Sequence, residues 1–304
     1  MPFGLKNAGA TYQRMMSKFF DRQIGDHMKV YMNDMIAKSL PSEDHVSIIE
    51  KNFKQLSMYN MRLNPEKCTF GIEVGKFLGF LLASRGIEAN LSKCQEIIDM
   101  RSPCTVKEVQ QLNGRLTALS RFLSFAAKHS LPLFQLLKKN KTIEWSDECE
   151  ATFKVFKQYL AAPPILSKPT PDEVLYVYLP MSDEVVAAVL IEETVEGHNP
   201  VYFTSKALQG PELRYQKLEK VAYALLITTR RLHQYFQSHT TVIRTNQPIR
   251  QMLHKPELAG RMIAWSVELS QFDIHFEPRT TIKSQVLSDF VAELTAPKGN
   301  SEHV

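Results

Sequence analysis

The chain has 304 residues, of which 44% are hydrophobic and 23% are charged, as in an ordinary globular protein. At about 150 residues per domain, this length predicts two domains. The longest unbroken apolar run, 185–191, is too short for a transmembrane helix. The first residues also lack the basic and apolar regions of a secretory signal. We therefore expect an intracellular protein, cytoplasmic or nuclear and not secreted, with no membrane partner.

The four cysteines, Cys68, Cys94, Cys104 and Cys149, form no C-x-x-C pair and have no histidine at the spacing of a zinc ligand. Neither a structural zinc site nor a disulfide framework is expected, so a reducing compartment is the default.

Positive charge is concentrated in the middle of the chain. The whole sequence has a net charge of +5, and residues 105–145 alone hold seven basic and two acidic side chains. A basic centre of this kind suits a polyanion that lies across it. A solvated helix face rich in lysine is the alternative, and local charge excesses more often mean that.

The first 90 residues show alternating helix and strand patterns. Asn33 and Asp34 predict a turn between two strands, because both residues tolerate turn backbone angles. Ser42 is expected to open the next helix, and an apolar run at 76–82 predicts a buried strand or a hairpin. The remaining predicted elements are a helix over 8–20 and strands over 29–32 and 35–37.

The middle of the chain is helical. Thr105 is expected to cap a helix in which Val109, Leu112 and Leu116 recur at helical spacing. A second helix is predicted over 131–137. The stretch 161–164, Ala-Ala-Pro-Pro, is the clearest boundary signal in the chain.

The last part alternates strands with helices, which predicts an α/β domain. Its predicted strands are 175–179, 185–191, 200–204, 241–245 and 272–276, and its predicted helices are 218–235 and 282–294.

Several ordered motifs resemble those of one enzyme family. Residues 1–14, MPFGLKNAGATYQR, resemble the template- and nucleotide-contacting motif of LTR-retrotransposon reverse transcriptases. Residues 31–34, Tyr-Met-Asn-Asp, resemble the Tyr-x-Asp-Asp hairpin of that family. Residues 63–70 and 77–80 resemble the following palm segment and the primer grip.

The resemblance continues collinearly to the end of the chain. Residues 106–122 resemble the thumb and connection, and Trp145 with 153–166 resembles the lead-in to an RNase H-like domain, which 206–208 and 287–290 continue. The chain is thus identified as a member of the gypsy-type LTR-retrotransposon Pol polyproteins of the plant lineage. The implied fold is α+β: a truncated reverse-transcriptase palm and thumb/connection followed by an RNase H-like α/β domain. The implied limits are 1–90 for the palm, 91–162 for the thumb and connection, 163–295 for the RNase H-like domain and 296–304 for a tail.

The resemblance also implies residue roles. Template and nucleotide contacts fall on Pro2, Phe3, Gly4, Asn7, Tyr12 and Gln13. The primer grip falls on Phe77, Leu78 and Gly79. Contacts to the nucleic-acid backbone fall on Lys107, Arg115 and Arg121. Core packing remains the alternative for Tyr12, Phe77 and Phe80.

The polymerase chemistry of this family needs two divalent ions, Mg²⁺ or Mn²⁺, held by carboxylates on adjacent strands. Here Asn33 stands in place of one catalytic Asp, and Asp34 is the carboxylate that remains in the turn. The upstream carboxylate of the family has no counterpart, since the sequence starts after it. We expect metal binding to be impaired and the chain to be catalytically inactive by itself.

RNase H chemistry also needs two metals and a carboxylate cluster. The resemblance places those carboxylates on Pro180, Val221, Asn246 and Asp289, so one of the four remains. Glu219 lies two residues from Val221, which is a rotation of about 200° around a helix, and cannot simply replace it. We expect this domain to be a structural connection.

The implied partners are an RNA/DNA template–primer, the missing N-terminal half of the reverse transcriptase, and a downstream RNase H and integrase. Two alternatives stay open. The chain could be a non-enzymatic nucleic-acid-binding module, or the unstable product of a gene model opened at an internal Met. In the second case, apolar surface near the N-terminus is expected to be exposed.

Overall fold

The computed structural model describes residues 6–32, 34–40, 42–124, 126–137, 144–195, 197–253 and 260–279. The chain divides into two units, residues 1–84 and 85–304, and each is described by itself. None of the helices in these described ranges is both long and apolar enough to cross a bilayer.

The first unit is built from two helices and two hairpins around a small core. Its helices are α1 (Ala8–Phe19) and α2 (His45–Met58), and its strands are β1 (Met28–Tyr31), β2 (Asp34–Ala37), β3 (Gly75–Phe77) and β4 (Phe80–Ala83). Met16, Phe20, Met28 and Leu56 form its buried centre. The apolar positions of α1 and β1 therefore face each other.

The β1–β2 hairpin turns one residue earlier than its sequence suggests. The strands are antiparallel and pair Tyr31 with Asp34 at the end next to the turn. The predicted turn at Asn33 and Asp34 is corrected accordingly, because Asp34 belongs to β2. Asn33 lies outside the described residues.

The start of α2 also differs from the prediction. The cap is Asp44, whose carboxylate accepts a hydrogen bond from the backbone N–H of Val46 at 3.1 Å. Ser42 therefore lies before the helix and does not open it. The carboxylate of Glu43 turns back to the N–H of Leu40 at 2.7 Å.

The second unit holds a five-stranded sheet and most of the helices. The strands of this sheet are β6 (Leu175–Tyr178), β7 (Val185–Thr194), β8 (Gly197–Ala207), β9 (Thr241–Arg244) and β10 (Ile274–Glu277), and a further short strand, β5 (Gly86–Glu88), lies outside it. Its helices are α3 (Leu91–Ile98), α4 (Val106–Ala118), α5 (Ala126–Leu136), α6 (Asp147–Ala161), α7 (Lys217–Arg231), α8 (His233–Ser238), α9 (Ile249–Leu253) and α10 (Gly260–Leu269).

The sheet has the order β10-β9-β6-β7-β8. Strand β7 runs antiparallel to β6 and β8, whereas β6, β9 and β10 run parallel. One face buries Val177, Leu190 and Ile243 against Val221 and Leu225 of α7. The three parallel strands consequently end at the same edge of the sheet.

Two helices of this unit differ from their predicted extents. Helix α5 begins at Ala126, five residues before the predicted start at Leu131. The predicted helix 218–235 is divided at Leu232, whose backbone angles (φ −111°, ψ 28°) are not helical. The predicted helix 282–294 lies outside the described residues, and the predicted limits 1–90, 91–162 and 163–295 stay predictions.

Candidate functional sites

The hairpin that carries Asp34 is fastened to α1 by the side chain of Gln13. Its amide nitrogen donates to the carbonyl of Val30 at 3.1 Å, and its amide oxygen accepts from the N–H of Met32 at 2.6 Å. Met32 has a left-handed backbone (φ 48°), which is uncommon for an unbranched apolar residue. Gln13 therefore holds the backbone on the approach to position 33.

Asp34 is exposed at the start of β2, opposite the half-exposed ring of Tyr31. Carboxylate oxygens are good ligands for Mg²⁺ and Mn²⁺. Within the described ranges, however, no three His, Cys, Asp or Glu residues lie close enough to hold a metal together. Asp34 can thus contribute one ligand to a metal ion but cannot form a site from its described neighbours.

The described residues of the template motif divide between surface and core. Tyr12 is half-buried and packs against the cluster around Met16, which supports the core-packing interpretation. Asn7 is exposed just before α1. A Cβ at Gly9 would lie 3.0 Å from the Met32 side chain, so the absence of a side chain leaves room for Met32. Pro2, Phe3 and Gly4 lie outside the described residues.

The predicted primer-grip residues form a tight hairpin between β3 and β4. Phe77 pairs with Phe80, so Leu78 and Gly79 make a two-residue loop. Both loop residues have positive φ, 51° and 78°, as a type I′ turn requires. Leu78 therefore stands at the tip with its side chain 44% exposed, while Phe77 and Phe80 are half-buried.

The predicted backbone-contacting residues on and after α4 have different surroundings. Lys107 is exposed in the first turn of α4. Arg115 forms an ion pair with the Glu96 carboxylate at 3.2 Å, and so joins α4 to the end of α3. The Arg121 guanidinium lies 5.4 Å from the ring centre of Tyr202 on β8.

The positions of the RNase H-like carboxylates are occupied by other chemistry. Pro180 is buried directly after β6, and Val221 is buried in the core between α7 and the sheet. Asn246 follows β9, and its side-chain oxygen accepts from the N–H of Arg279 at 2.9 Å. Asp289 lies outside the described residues. Glu219 is already engaged with the Arg261 guanidinium at 2.7 Å.

Sequence reasoning missed Arg279 and Lys220, which both lie near the end of β6. Arg279 donates to the carbonyl of Leu179 at 3.2 Å. The Lys220 ammonium, 8% exposed, donates to the carbonyl of Asp183 at 2.7 Å. No local pattern signals either contact, although a lysine in the apolar stripe of α7 is unusual.

Two family models match this chain. The model for reverse transcriptase (RNA-dependent DNA polymerase) matches residues 1–112, and the model for an RNase H-like domain found in reverse transcriptase matches residues 145–243. The chain carries a reverse transcriptase domain followed by an RNase H-like domain. Both domains keep the order that the motifs predicted.

The curated relatives of these two domains are transposon polyproteins. The chain is 29% identical over 279 residues to a retrovirus-related Pol polyprotein from transposon 297 of Drosophila melanogaster, covering 91% of this chain and 26% of the relative. It is 26% identical over 309 residues to the Pol polyprotein from transposon opus of the same species, covering 97% and 30%. It is 24% identical over 306 residues to the transposon Tf2-3 polyprotein of Schizosaccharomyces pombe, covering 100% and 22%. The chain therefore spans less than a third of these relatives.

Solved structures share the fold of the two domains. A foamy viral protease–reverse transcriptase in complex with dsDNA superposes with a TM-score of 0.77 at 21% identity, covering 93% of this chain and 60% of that one. The same kind of protein in complex with an RNA/DNA hybrid gives 0.75 at 21% identity, covering 94% and 41%.

Proposed function

We propose that this chain is the reverse transcriptase and RNase H-like part of a gypsy-type LTR-retrotransposon Pol polyprotein of the plant lineage. It holds an RNA/DNA template–primer, and by itself it neither polymerises DNA nor cleaves RNA. The observation that carries this proposal is the donor set at the two positions where metal-dependent chemistry would take place.

In the β1–β2 hairpin, Asp34 supplies one carboxylate, and the Asn at position 33 supplies a neutral amide. Two divalent ions a few Å apart need several carboxylates to offset their charge. When bound, such ions would activate the primer hydroxyl and stabilise the leaving pyrophosphate. The single negative charge of Asp34 cannot offset two divalent ions, so this chain needs carboxylates from elsewhere in the polyprotein.

At the RNase H-like positions, the donor set does not fit a metal pair. A buried proline and a buried valine offer no side-chain ligand, and the Asn246 oxygen is already bonded to the N–H of Arg279. No hydrolytic step is therefore assigned to this domain. This domain acts as a structural connection within the polyprotein.

Binding of nucleic acid is favoured by the basic residues of the α4 region and by the fold. Lys107 is exposed, and the Arg121 guanidinium lies 5.4 Å from the ring centre of Tyr202. The foamy viral reverse transcriptases of the same fold hold dsDNA or an RNA/DNA hybrid. An RNA/DNA duplex is accordingly the ligand we assign.

Primer extension tests the catalytic half of the proposal. The purified chain, its Asp34→Ala variant and its Asn33→Asp variant are each given an RNA template with a DNA primer, in Mg²⁺ and separately in Mn²⁺. We expect no extension by any of the three. Incorporation by the unmodified chain above the level of Asp34→Ala would overturn the proposal, and so would cleavage of the RNA strand.

Fluorescence anisotropy in EDTA tests the binding half. We expect affinity for a labelled RNA/DNA duplex to fall steeply between about 50 and 200 mM salt, because bound phosphates release counterions. Lys107→Gln should lower the salt slope by about one. Lys168→Gln removes an exposed lysine from a loop outside the α4 region and is the matched control. Equal slopes for the two variants would contradict the assignment.

The exposed apolar surface of the first unit indicates that this unit is unstable when the rest of the reverse transcriptase is absent. More than half of the exposed large apolar side chains in the described residues lie between 31 and 78, among them Phe53, Met58 and Phe70. A surface of this kind is normally covered, and we assign its cover to the remaining reverse transcriptase of the polyprotein. Limited proteolysis should cut within 31–78 before it cuts within 175–253. The reverse order would contradict this.

A further inference from the structure

The three parallel strands of the second unit end side by side and are followed by unusual residues. Strands β6, β9 and β10 lead into Leu179–Pro180, Thr245–Asn246 and Pro278–Arg279 respectively. In open α/β sheets, ligands gather at the carboxyl ends of parallel strands. We call these three pairs of residues the strand-end edge.

One residue connects all three strand ends. Arg279 follows β10, its backbone N–H donates to the Asn246 side chain after β9, and its guanidinium donates to the Leu179 carbonyl after β6. Its Nε is buried and makes no hydrogen bond to any described residue. The bonds to Asn246 and Leu179 hold Arg279 at the strand-end edge.

The charge at the strand-end edge is permanent. Burial lowers the pKa of Arg279 from its ordinary value, but a guanidinium keeps its proton at neutral pH. A second cation, the buried ammonium of Lys220, is bonded to the Asp183 carbonyl in the β6–β7 turn and lies 4.0 Å from the Asp183 carboxylate, which offsets its charge. A divalent ion at the strand-end edge would be placed next to the fixed positive charge of Arg279.

We propose that Arg279 is a built-in cation that takes the place of a metal at the strand-end edge, so that this edge excludes divalent ions even when carboxylates are restored to it. This goes beyond the proposed function, which rests on the missing carboxylates, because it assigns the exclusion to a residue that is present. If the missing carboxylates were the whole reason, restoring them by substitution would restore metal binding at this edge. With the Arg279 guanidinium fixed there, restored carboxylates are not sufficient.

Titration with Mn²⁺ alone, followed by the electron paramagnetic resonance signal of the free ion, tests this on the full chain. The first variant is Pro180→Asp with Asn246→Asp, and the second adds Arg279→Gln to these two changes. We expect the first to bind Mn²⁺ no more tightly than the unmodified chain and the second to bind at least tenfold more tightly. Equal affinities in the two variants would overturn the proposal.

Because Pro180 is buried, the double substitution could prevent folding. Asn246→Asp with Pro278→Asp, each made with and without Arg279→Gln, repeats the comparison with two carboxylates at exposed positions. Arg214→Gln, which removes an exposed arginine elsewhere in the unit, is the matched control and should not change Mn²⁺ affinity. If adding Arg279→Gln to the carboxylate variants lowers their melting temperature but leaves their Mn²⁺ affinity unchanged, Arg279 has a structural role only and the proposal is wrong. Primer extension by the unmodified chain would overturn the proposed function without bearing on this result, whereas RNA cleavage by the unmodified chain would contradict both.

Discussion

The side-chain oxygen of Gln13 accepts a hydrogen bond from the backbone N–H of Met32 at 2.6 Å. The amide nitrogen of the same side chain donates to the Val30 carbonyl. A single amide thereby binds two backbone groups at the end of β1, and α1 becomes the support of the hairpin that presents Asp34. Gln13, for which a template or nucleotide contact stays a prediction, thus also supports the hairpin.

Replacing Gln13 should loosen the hairpin. In Gln13→Leu both backbone groups lose their partner, and we expect the free energy of unfolding of the first unit to fall by about 1–2 kcal/mol. Hydrogen–deuterium exchange at the Met32 amide should become faster. Gln13→Glu keeps an acceptor for Met32 but loses the donor to Val30, so an intermediate effect is expected. Unchanged exchange in Gln13→Leu would show that the bond does not hold the hairpin.

The β3–β4 turn should be easy to stabilise. Leu78 has a φ of 51°, a conformation that costs a side-chain-bearing residue about 1–2 kcal/mol and that Asn tolerates better. Leu78→Asn should therefore raise the urea midpoint, with a gain of about 1 kcal/mol. Leu78→Ala removes the same exposed side chain but keeps the strain, and it should give no such gain. Equal midpoints for the two variants would contradict the argument from strain. If the Leu78 side chain contacts the primer, both variants should also bind the RNA/DNA duplex more weakly than the unmodified chain.

Arg244 should be the more costly of two arginines to remove from the second unit. It is 6% exposed, and its guanidinium bonds the Glu193 carboxylate at 3.0 Å and the Tyr178 hydroxyl at 3.1 Å. The Glu193 carboxylate is 26% exposed and keeps His198 as a second partner at 2.8 Å, so removing Arg244 leaves its charge only partly uncompensated, at about 2–3 kcal/mol. We expect Arg244→Met to lose that amount in urea denaturation, and Arg244→Met with Glu193→Gln to lose less.

Arg230 is the control for that experiment. It bonds Glu268 with two short contacts, 2.6 and 2.7 Å, but its side chain is 58% exposed. Exposed pairs contribute about 1 kcal/mol or less, so Arg230→Met should have a small effect. Similar losses for both arginines would mean that burial does not set the cost.

Glu150 should make the second unit sensitive to acid. Hydrogen bonds from the Ser102 hydroxyl, at 2.6 Å, and from the Trp145 indole, at 2.8 Å, lower the pKa of its carboxyl group. A lowered pKa in the folded state means stability that is present above the ordinary carboxyl pKa and is lost as the pH falls through the folded pKa. Glu150→Gln should therefore reduce the loss of stability between about pH 5 and pH 3, measured as the urea midpoint at each pH. Ser102→Ala should reduce it less, since the indole bond remains. An identical pH profile for Glu150→Gln and the unmodified chain would contradict this assignment.

Short-range patterns were sufficient for many elements. The Thr105 hydroxyl and the Glu108 carboxylate form the reciprocal cap of α4, and the apolar run from Val185 begins β7 as predicted. Both depend on residues close in sequence, whose spacing alone determines whether they meet. The ordered motifs likewise predicted both domains, because a motif is a local string of residues.

Other features depended on how the chain closes on itself. Gln13 meets Val30 across 17 residues, and Arg279 meets Leu179 across 100. Arg115, whose contact with nucleic acid stays a prediction, meets the Glu96 carboxylate across 19 residues. Composition and spacing specify which groups can bond, but not which of many distant partners comes within reach. That choice belongs to the packing of the sheet and helices, which decided where the hairpin is held and which cation stands at the strand ends.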